Sequence, residues 1–202
     1  MSRTEEEKIA PTVASRETAP VVVDQDGPLV RLACGGDREA FRRLVERHYR
    51  RVYHIARRML GDPQAAEDIV QETFLAAFKH LPGFEARARF STWITTIAMN
   101  RCRNHLRSAA VSRSAPLSAD PPAPASASPE AQAGARELAV HLERALASLS
   151  PDQREVILLR DVEGLAYDAI AEALDIEAGT VKSRLHRARE AMRVLLEGVW
   201  SP

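Results

Sequence analysis

The chain has 202 residues and no formal net charge, because 28 lysines and arginines balance 28 aspartates and glutamates. Apolar residues make up 45% of the sequence, as in ordinary folded proteins, and no apolar run approaches the ~20 residues that cross a membrane. Two cysteines cannot form a disulfide framework, and the first residues lack the pattern of a secretory signal, so we expect a cytoplasmic protein.

Residues 1–26 are predicted to be a disordered acidic extension, because they show no helical or strand period. The following residues, 27–110, are called the first block and are predicted to be helical. Asp37 caps one helix, Gly61 ends it, and Asp62 caps the next. A loop over 84–89 then leads to a third helix.

The first block carries 15 basic and 8 acidic residues, a net charge of +7. Such a surplus is typical of a surface that meets a polyanion, although solvated arginines on helix faces would give the same count.

Residues 111–136 are predicted to be a flexible linker. Of the 21 residues at 115–135, 16 are Pro, Ala or Ser, so this segment cannot bury enough apolar surface to offset the entropy of ordering it. An extended chain of this length, at ~3.1 Å per residue, would reach roughly 65 Å.

Residues 137–202, the second block, are also predicted to be helical. Ser150 opens one helix and Gly164 ends it, and a short helix near 168–174 is separated by about four residues from a last helix that Thr180 is expected to cap. Two short helices at this spacing fit a helix-turn-helix, whose second helix enters the major groove of DNA. A generic helical hairpin would show the same periodicity.

The second block is acidic overall, with 8 basic and 12 acidic residues and a net charge of −4, yet its last helix is basic. Between Thr180 and Arg193 that helix has Glu190 as its one acid. Arginine and lysine side chains off the apolar stripe can pair with guanine acceptors, and the backbone N–H groups at the helix start can hold a phosphate. A solvated helix face is the alternative.

Three stretches resemble the extracytoplasmic-function (ECF) sigma factors of bacterial RNA polymerase: AEDIVQETFLAAFKHLPGF (66–84), RFSTWITTIAMNRCRNHLR (89–107) and LSPDQREVILLRDVEGLAYDAIAEALDIEAGTVKSRLHRAREAMR (149–193). The resemblance implies an all-α fold of two small domains, sigma domain 2 in the first block and sigma domain 4 in the second. It also implies a protein that binds core RNA polymerase, directs it to promoters through their -10 and -35 elements, promotes melting, and is controlled by an anti-sigma factor.

The resemblance also implies three sets of contact residues, with the second block on the β flap of the polymerase. The set for the -35 element is Thr180, Lys182, Ser183, Arg184, His186, Arg187 and Arg189. The set for the -10 element is Phe84, Arg87, Arg89, Asn100, Arg101, Arg103, Asn104 and Arg107. The set for the β′ clamp helices is Glu67, Asp68, Gln71 and Glu72, which could otherwise be a solvated acidic face.

Two positions depart from the family's pattern. Ala166 lacks the hydroxyl that caps the short helix in relatives, and Asp175 stands in a turn where glycine is common.

A stand-alone helix-turn-helix regulator would explain residues 150–193 but not the DIVQETF and FSTW stretches. No enzyme, metal or cofactor is predicted, because the sequence lacks a Gly-rich phosphate loop, CxxC and HExxH, and its histidines lack metal-ligand spacing.

Overall fold

A computed structural model of the chain describes residues 25–84, 88–111 and 129–197. Within these ranges the chain is all helical, without strands, as the sequence predicts. Helices α1 to α4 form the first block and α5 to α8 the second. Their bounds are α1 Gly27–Cys34, α2 Arg38–Leu60, α3 Pro63–His80, α4 Phe90–Val111, α5 Pro129–Ser148, α6 Pro151–Ile157, α7 Tyr167–Leu174 and α8 Ala178–Leu196.

The predicted signals that start and stop the first helices are confirmed. The Asp37 carboxylate accepts hydrogen bonds from the backbone N–H groups of the first turn of α2, at 2.9 and 3.0 Å. The Asp62 carboxylate does the same for α3, at 2.7 and 3.2 Å. Gly61 lies between these helices with φ of 76°, a left-handed conformation that favours glycine.

Helix α1 is not predicted from the sequence, and with its N-cap residue the folded part of the first block begins at Asp26, one residue before the predicted boundary. Asp26, the last residue of the extension predicted to be disordered, is buried instead. Its carboxylate lies 2.8 Å from His48 Nε2 and accepts a hydrogen bond from Arg47 at 2.6 Å. These contacts fasten the start of α1 to α2, and they are invisible in the sequence because the partners are more than 20 residues apart.

The linker boundary also differs from the prediction, because α5 begins at Pro129 and residues 129–136 are helical. Proline is favoured at the first position of a helix, and the alanine, glutamate and glutamine that follow are good helix formers. Residues 112–128 of the predicted linker lie outside the described residues.

The short helix α7 starts without a side-chain cap. Ala166 has the extended backbone of an N-cap residue, with φ −68° and ψ 155°, but makes no side-chain cap bond. We predict that Ala166→Ser raises the free energy of unfolding by ~0.5–1 kcal/mol, because the hydroxyl accepts a backbone N–H bond. Ala173→Ser, inside the same helix, should lower the free energy of unfolding by roughly 0.5 kcal/mol, because serine is a poorer helix former than alanine. Urea denaturation checks both, and equal effects would contradict the capping argument.

The apolar core falls into two clusters within the described residues. One lies wholly in the first block, around Leu44, Phe90 and Ile94. The other is continuous from the first block to the second and joins residues such as Met59 and Met99 to Leu158 and Leu185. The two blocks therefore pack against each other in this structure.

Candidate nucleic-acid interface

The last helix, which the sequence predicts to read DNA, is formed as α8, and several of its polar side chains point away from the core. In α8, Val181, Leu185, Ala188 and Met192 are buried, which turns Lys182, His186 and Arg187 to solvent. The predicted cap is wrong, because α8 begins at Ala178 and Thr180 lies inside its first turn. The helix opens after Glu177, which makes no side-chain cap bond. The Thr180 carbonyl accepts a bond from the Ser183 hydroxyl at 3.0 Å.

Two arginines of the predicted -35 set are engaged within the second block. Arg184 is 22% exposed and bonds Asp152 at 2.9 Å and Glu155 at 3.2 Å. Arg189 bonds Asp161 at 2.6 Å, and this hydrogen bond raises the pKa of the guanidinium. These two side chains hold α8 against α6 and the residues that directly follow α6, whereas Lys182, His186 and Arg187 remain available to a ligand.

The residues of α4 that are predicted to contact the -10 element fall into two groups, one exposed and one held in ion pairs. Asn100, Asn104 and Arg107 are exposed and follow one another at four- and three-residue steps on one face. Arg101 bonds Glu72 of α3 at 3.0 Å. Arg103 is 22% exposed and bonds Glu155 of the second block at 3.1 Å.

The loop before α4 is only partly an open surface. Phe84 is half-buried, with its ring centroid 4.8 Å from that of Trp93, so its ring packs on the domain rather than standing free. Phe90 is 1% exposed and belongs to the core. Arg89 is exposed at the start of α4, and Arg87 lies outside the described residues.

The predicted acidic face of α3 is solvent-facing. Asp68, Gln71 and Glu72 are exposed, opposite the buried side chains of that helix. Glu67 is half-buried and accepts a hydrogen bond from the Tyr49 hydroxyl, which raises the pKa of that phenol.

The face also carries a residue that the sequence analysis missed. Leu75 is 63% exposed and lies three residues beyond Glu72, so it continues the same face. Its position in the helical period could have identified it.

Two charged residues that the sequence analysis did not single out are buried among apolar neighbours in the second block. Arg154 and Glu155 are 8% and 3% exposed. The Arg154 guanidinium donates to four backbone carbonyls, at 2.6 to 3.0 Å, and its burial lowers its pKa. Burial raises the pKa of Glu155, against the opposing effect of Arg103. The sequence did offer a signal for these buried charges, because the two charged residues are adjacent and stand directly before an apolar run in QREVILL.

No redox or metal site is evident in the described part of the chain. Burial raises the pKa of the Cys102 thiol to about 12, which makes it unreactive at neutral pH. Cys34 donates to the Leu81 carbonyl at 3.2 Å. The described residues contain no group of three or more His, Cys, Asp or Glu side chains able to hold a metal ion. Among the same residues, no helix is long and apolar enough to cross a bilayer.

Both blocks match known protein families. The family model of sigma-70 region 2 matches residues 44–111, and that of sigma-70 region 4 matches residues 140–192. The chain is 33% identical to the RNA polymerase sigma-H factor of Pseudomonas aeruginosa over 86% of this chain and 95% of that protein. It is 34% identical to the ECF RNA polymerase sigma factor SigW of Bacillus subtilis over 78% and 89% of the two chains.

Two solved structures have similar folds. CnrH in complex with the cytosolic domain of CnrY gives a TM-score of 0.63 at 26% identity, over 86% of this chain and 97% of that one. The sigma factor RpoE of Bartonella quintana, in complex with the anti-sigma factor NepR, gives 0.63 at 25% identity, over 78% and 96%. With a region 2 helix set, a region 4 helix-turn-helix and relatives matched along most of their length, the chain belongs to the ECF sigma factors.

Proposed function

We propose that the chain binds core RNA polymerase, directs it to promoters with defined -10 and -35 elements, and promotes melting of the start region. The single observation that carries the proposal is the joint presence of region 2 and region 4 in one chain, each with exposed polar side chains where contacts are expected. The chain itself performs no chemical step in this proposal.

Each block has its own role in the proposed function. Lys182, His186 and Arg187 of α8 would read the -35 duplex in the major groove, since their side chains leave the helix on its solvent side. Asn100, Asn104 and Arg107 of α4 would meet the -10 element, and melting would proceed by capture of unpaired bases.

The stand-alone regulator considered above is not favoured. It requires only a helix-turn-helix, whereas residues 44–111 match sigma-70 region 2. An anti-sigma partner is part of the proposal, because RpoE, a sigma factor of similar fold, is bound to the anti-sigma factor NepR, and CnrH is likewise bound to a partner, the cytosolic domain of CnrY. We expect such a partner to compete with core polymerase, and simultaneous binding of both in a pull-down would contradict that expectation.

The proposed polymerase surface is the face of α3 that carries Asp68, Gln71, Glu72 and Leu75. We predict that Asp68→Lys with Glu72→Lys weakens binding to core polymerase by about tenfold to a hundredfold, because charge reversal at an interface costs several kcal/mol. Leu75→Ser should weaken it by about tenfold through lost apolar contact. Fluorescence anisotropy of the labelled chain with core enzyme measures both.

The matched control for the charge reversal is Glu39→Lys with Glu46→Lys. This control also replaces two acids with two lysines, so it changes the net charge by the same amount. Both glutamates are exposed on α2 and pair with Arg42, and losing such exposed pairs costs little stability. Equal affinity losses in the control and in the α3 variant would show that general charge, and not this face, governs binding.

A further inference from the structure

We propose that His48, held in place by Asp26, is a positioning residue for recognition of the -10 element. Its ring packs on Phe90, the first residue of α4, and this contact fixes the start of that helix. Two members of the predicted -10 set, Phe84 and Arg89, are placed by it in turn. The proposal rests on the proposed function in one respect, because it takes these two residues to be -10 contacts.

Asp26 stands at the N-cap of α1 but does not use its side chain there. It makes no side-chain cap bond, although an aspartate at this position usually accepts one from the first turn. Its carboxylate lies instead 2.8 Å from His48 Nε2 and accepts a bond from Arg47 at 2.6 Å. Because a carboxylate accepts hydrogen bonds, Nε2 is the donor of the pair, which gives the His48 ring a defined orientation.

The pair is buried where apolar side chains would serve stability as well. Asp26 and His48 are 7% and 6% exposed, and the His48 ring meets Phe90, a member of the apolar cluster of the first block. Replacing a buried charged pair by apolar residues of similar volume is often neutral or stabilising. A hydrogen-bonded pair adds direction, which apolar packing alone does not supply. Orientation of the ring is therefore the role that the pair serves.

Phe90 transmits this orientation to the rings of Phe84 and Trp93, with which it forms the ring cluster. The ring centroids of His48 and Phe90 are 5.3 Å apart, with the planes tilted by 55°. Phe90 lies 5.7 Å from Trp93 and edge-on to Phe84 at 6.3 Å. Aromatic pairs at such distances prefer edge-to-face or offset packing, so a turn of Phe90 changes the angle that Phe84 offers to a base.

Phe90 also fixes the residue that directly precedes it. The Arg89 carbonyl accepts the first backbone bonds of α4, from the N–H groups of Thr92 at 3.0 Å and Trp93 at 3.1 Å. Phe90 is 1% exposed, so this backbone cannot turn without moving a buried ring. The exposed Arg89 side chain therefore leaves the domain at a point that the Phe90 ring sets.

The far end of α1 holds the other side of the ring cluster. The Leu81 carbonyl accepts two hydrogen bonds, from the Phe84 N–H at 3.0 Å and from the Cys34 thiol at 3.2 Å. Helix α1 thus reaches the ring cluster from both sides, through Cys34 at its end and through Asp26 at its start.

The fluorescence of Trp93 in the free, full-length chain tests the positioning. Trp200→Phe leaves Trp93 as the only tryptophan. In that background His48→Gln, which keeps an N–H group but removes the ring, should shift the Trp93 emission to the red and make acrylamide quench it more strongly. Asp26→Ala should act in the same direction. Asp26→Asn should stay near wild type, because its amide oxygen can still accept a bond from His48.

Asp37→Ala is the matched control for Asp26→Ala. Asp37 is the N-cap of α2, and its carboxylate accepts bonds at 2.9 and 3.0 Å from the first turn of that helix, so its loss costs stability without turning His48. Circular dichroism verifies that helix content is kept, and Asp26→Ala carries the test if His48→Gln does not fold. An unchanged Trp93 emission in these two variants, or an equal shift in Asp37→Ala, would overturn the proposal.

Binding to single-stranded DNA tests the link to the -10 element. The probe is an oligonucleotide with the -10 element of a promoter that the polymerase complex selects from a genomic library. In complex with core polymerase, His48→Gln and Asp26→Ala should bind it about tenfold more weakly, the effect of losing one base stack. Their affinity for a duplex with only the -35 element should stay within about twofold of wild type, because α8 is distant from the change. Equal losses on both probes, or no loss on the single strand, would contradict the positioning role.

The two proposals fail separately. A chain whose Trp93 responds as expected but whose polymerase complex binds no promoter contradicts only the proposed function. A chain that directs transcription while His48→Gln leaves both Trp93 and the single-strand affinity unchanged contradicts only the positioning.

Discussion

Arg154→Met should lower the free energy of unfolding by ~3 kcal/mol, the largest effect of any substitution considered for this chain. The guanidinium donates to the carbonyls of Leu146, Ala147 and Leu149, at the end of α5, and of Met59 in the first block. Methionine fills a similar volume but donates nothing, so buried carbonyls lose their hydrogen bonds. Urea denaturation followed by circular dichroism measures the loss.

Arg144→Met is the matched control, since Arg144 is exposed on α5 and its loss should change the free energy of unfolding by less than ~0.5 kcal/mol. The α5–α6 junction should also exchange its amide hydrogens faster in Arg154→Met. Equal stabilities of the two variants would mean that the buried guanidinium does not organise the second block.

Arg187→Ala should weaken promoter binding by the polymerase complex by about tenfold or more, because a good base or phosphate contact is worth ~1–3 kcal/mol. Arg187 is exposed on α8, and its side chain bonds only the Ser183 carbonyl among the described residues, at 3.3 Å. Its removal should therefore leave the fold intact. Gel-shift titration of a promoter selected from a genomic library measures the loss.

Arg193→Ala is the control on the same helix. Arg193 pairs with Glu190 and Glu197 near the end of α8, away from the predicted reading surface. Its affinity for the promoter should stay within about twofold of wild type. Arg184→Ala should act differently, lowering stability together with binding, because Arg184 is held by Asp152 and Glu155. Full promoter affinity in Arg187→Ala would contradict the assignment of α8 as the reading helix.

Much of the fold was predictable because its signals are local. Asp37, Asp62 and Ser150 sit at helix starts and act on the nearest backbone N–H groups, and the Ser150 cap is completed by Gln153. Asp175 takes the left-handed turn, with φ of 53°, as its short polar side chain allows. The N-cap of α8 was misplaced by three residues, because Thr180 is a good cap residue but Glu177 holds the cap position.

The candidate site was less predictable, because the fate of a charged side chain depends on distant partners. Lys182, Arg184 and Arg187 look alike in the sequence, yet of these three only Arg184 pairs with the buried carboxylate of Glu155 in α6. Arg103 likewise meets Glu155, a residue 52 positions away in the other block. Helical periodicity indicates which residues share a face, but not which face another domain will cover.

Run-off transcription with purified core RNA polymerase tests the central claim most directly. Added to core enzyme and a genomic fragment library, the chain should produce discrete transcripts that core enzyme alone does not make, and Asp68→Lys with Glu72→Lys should abolish most of them. Transcripts identical with and without the chain would contradict its assignment as a promoter-directing subunit of the polymerase.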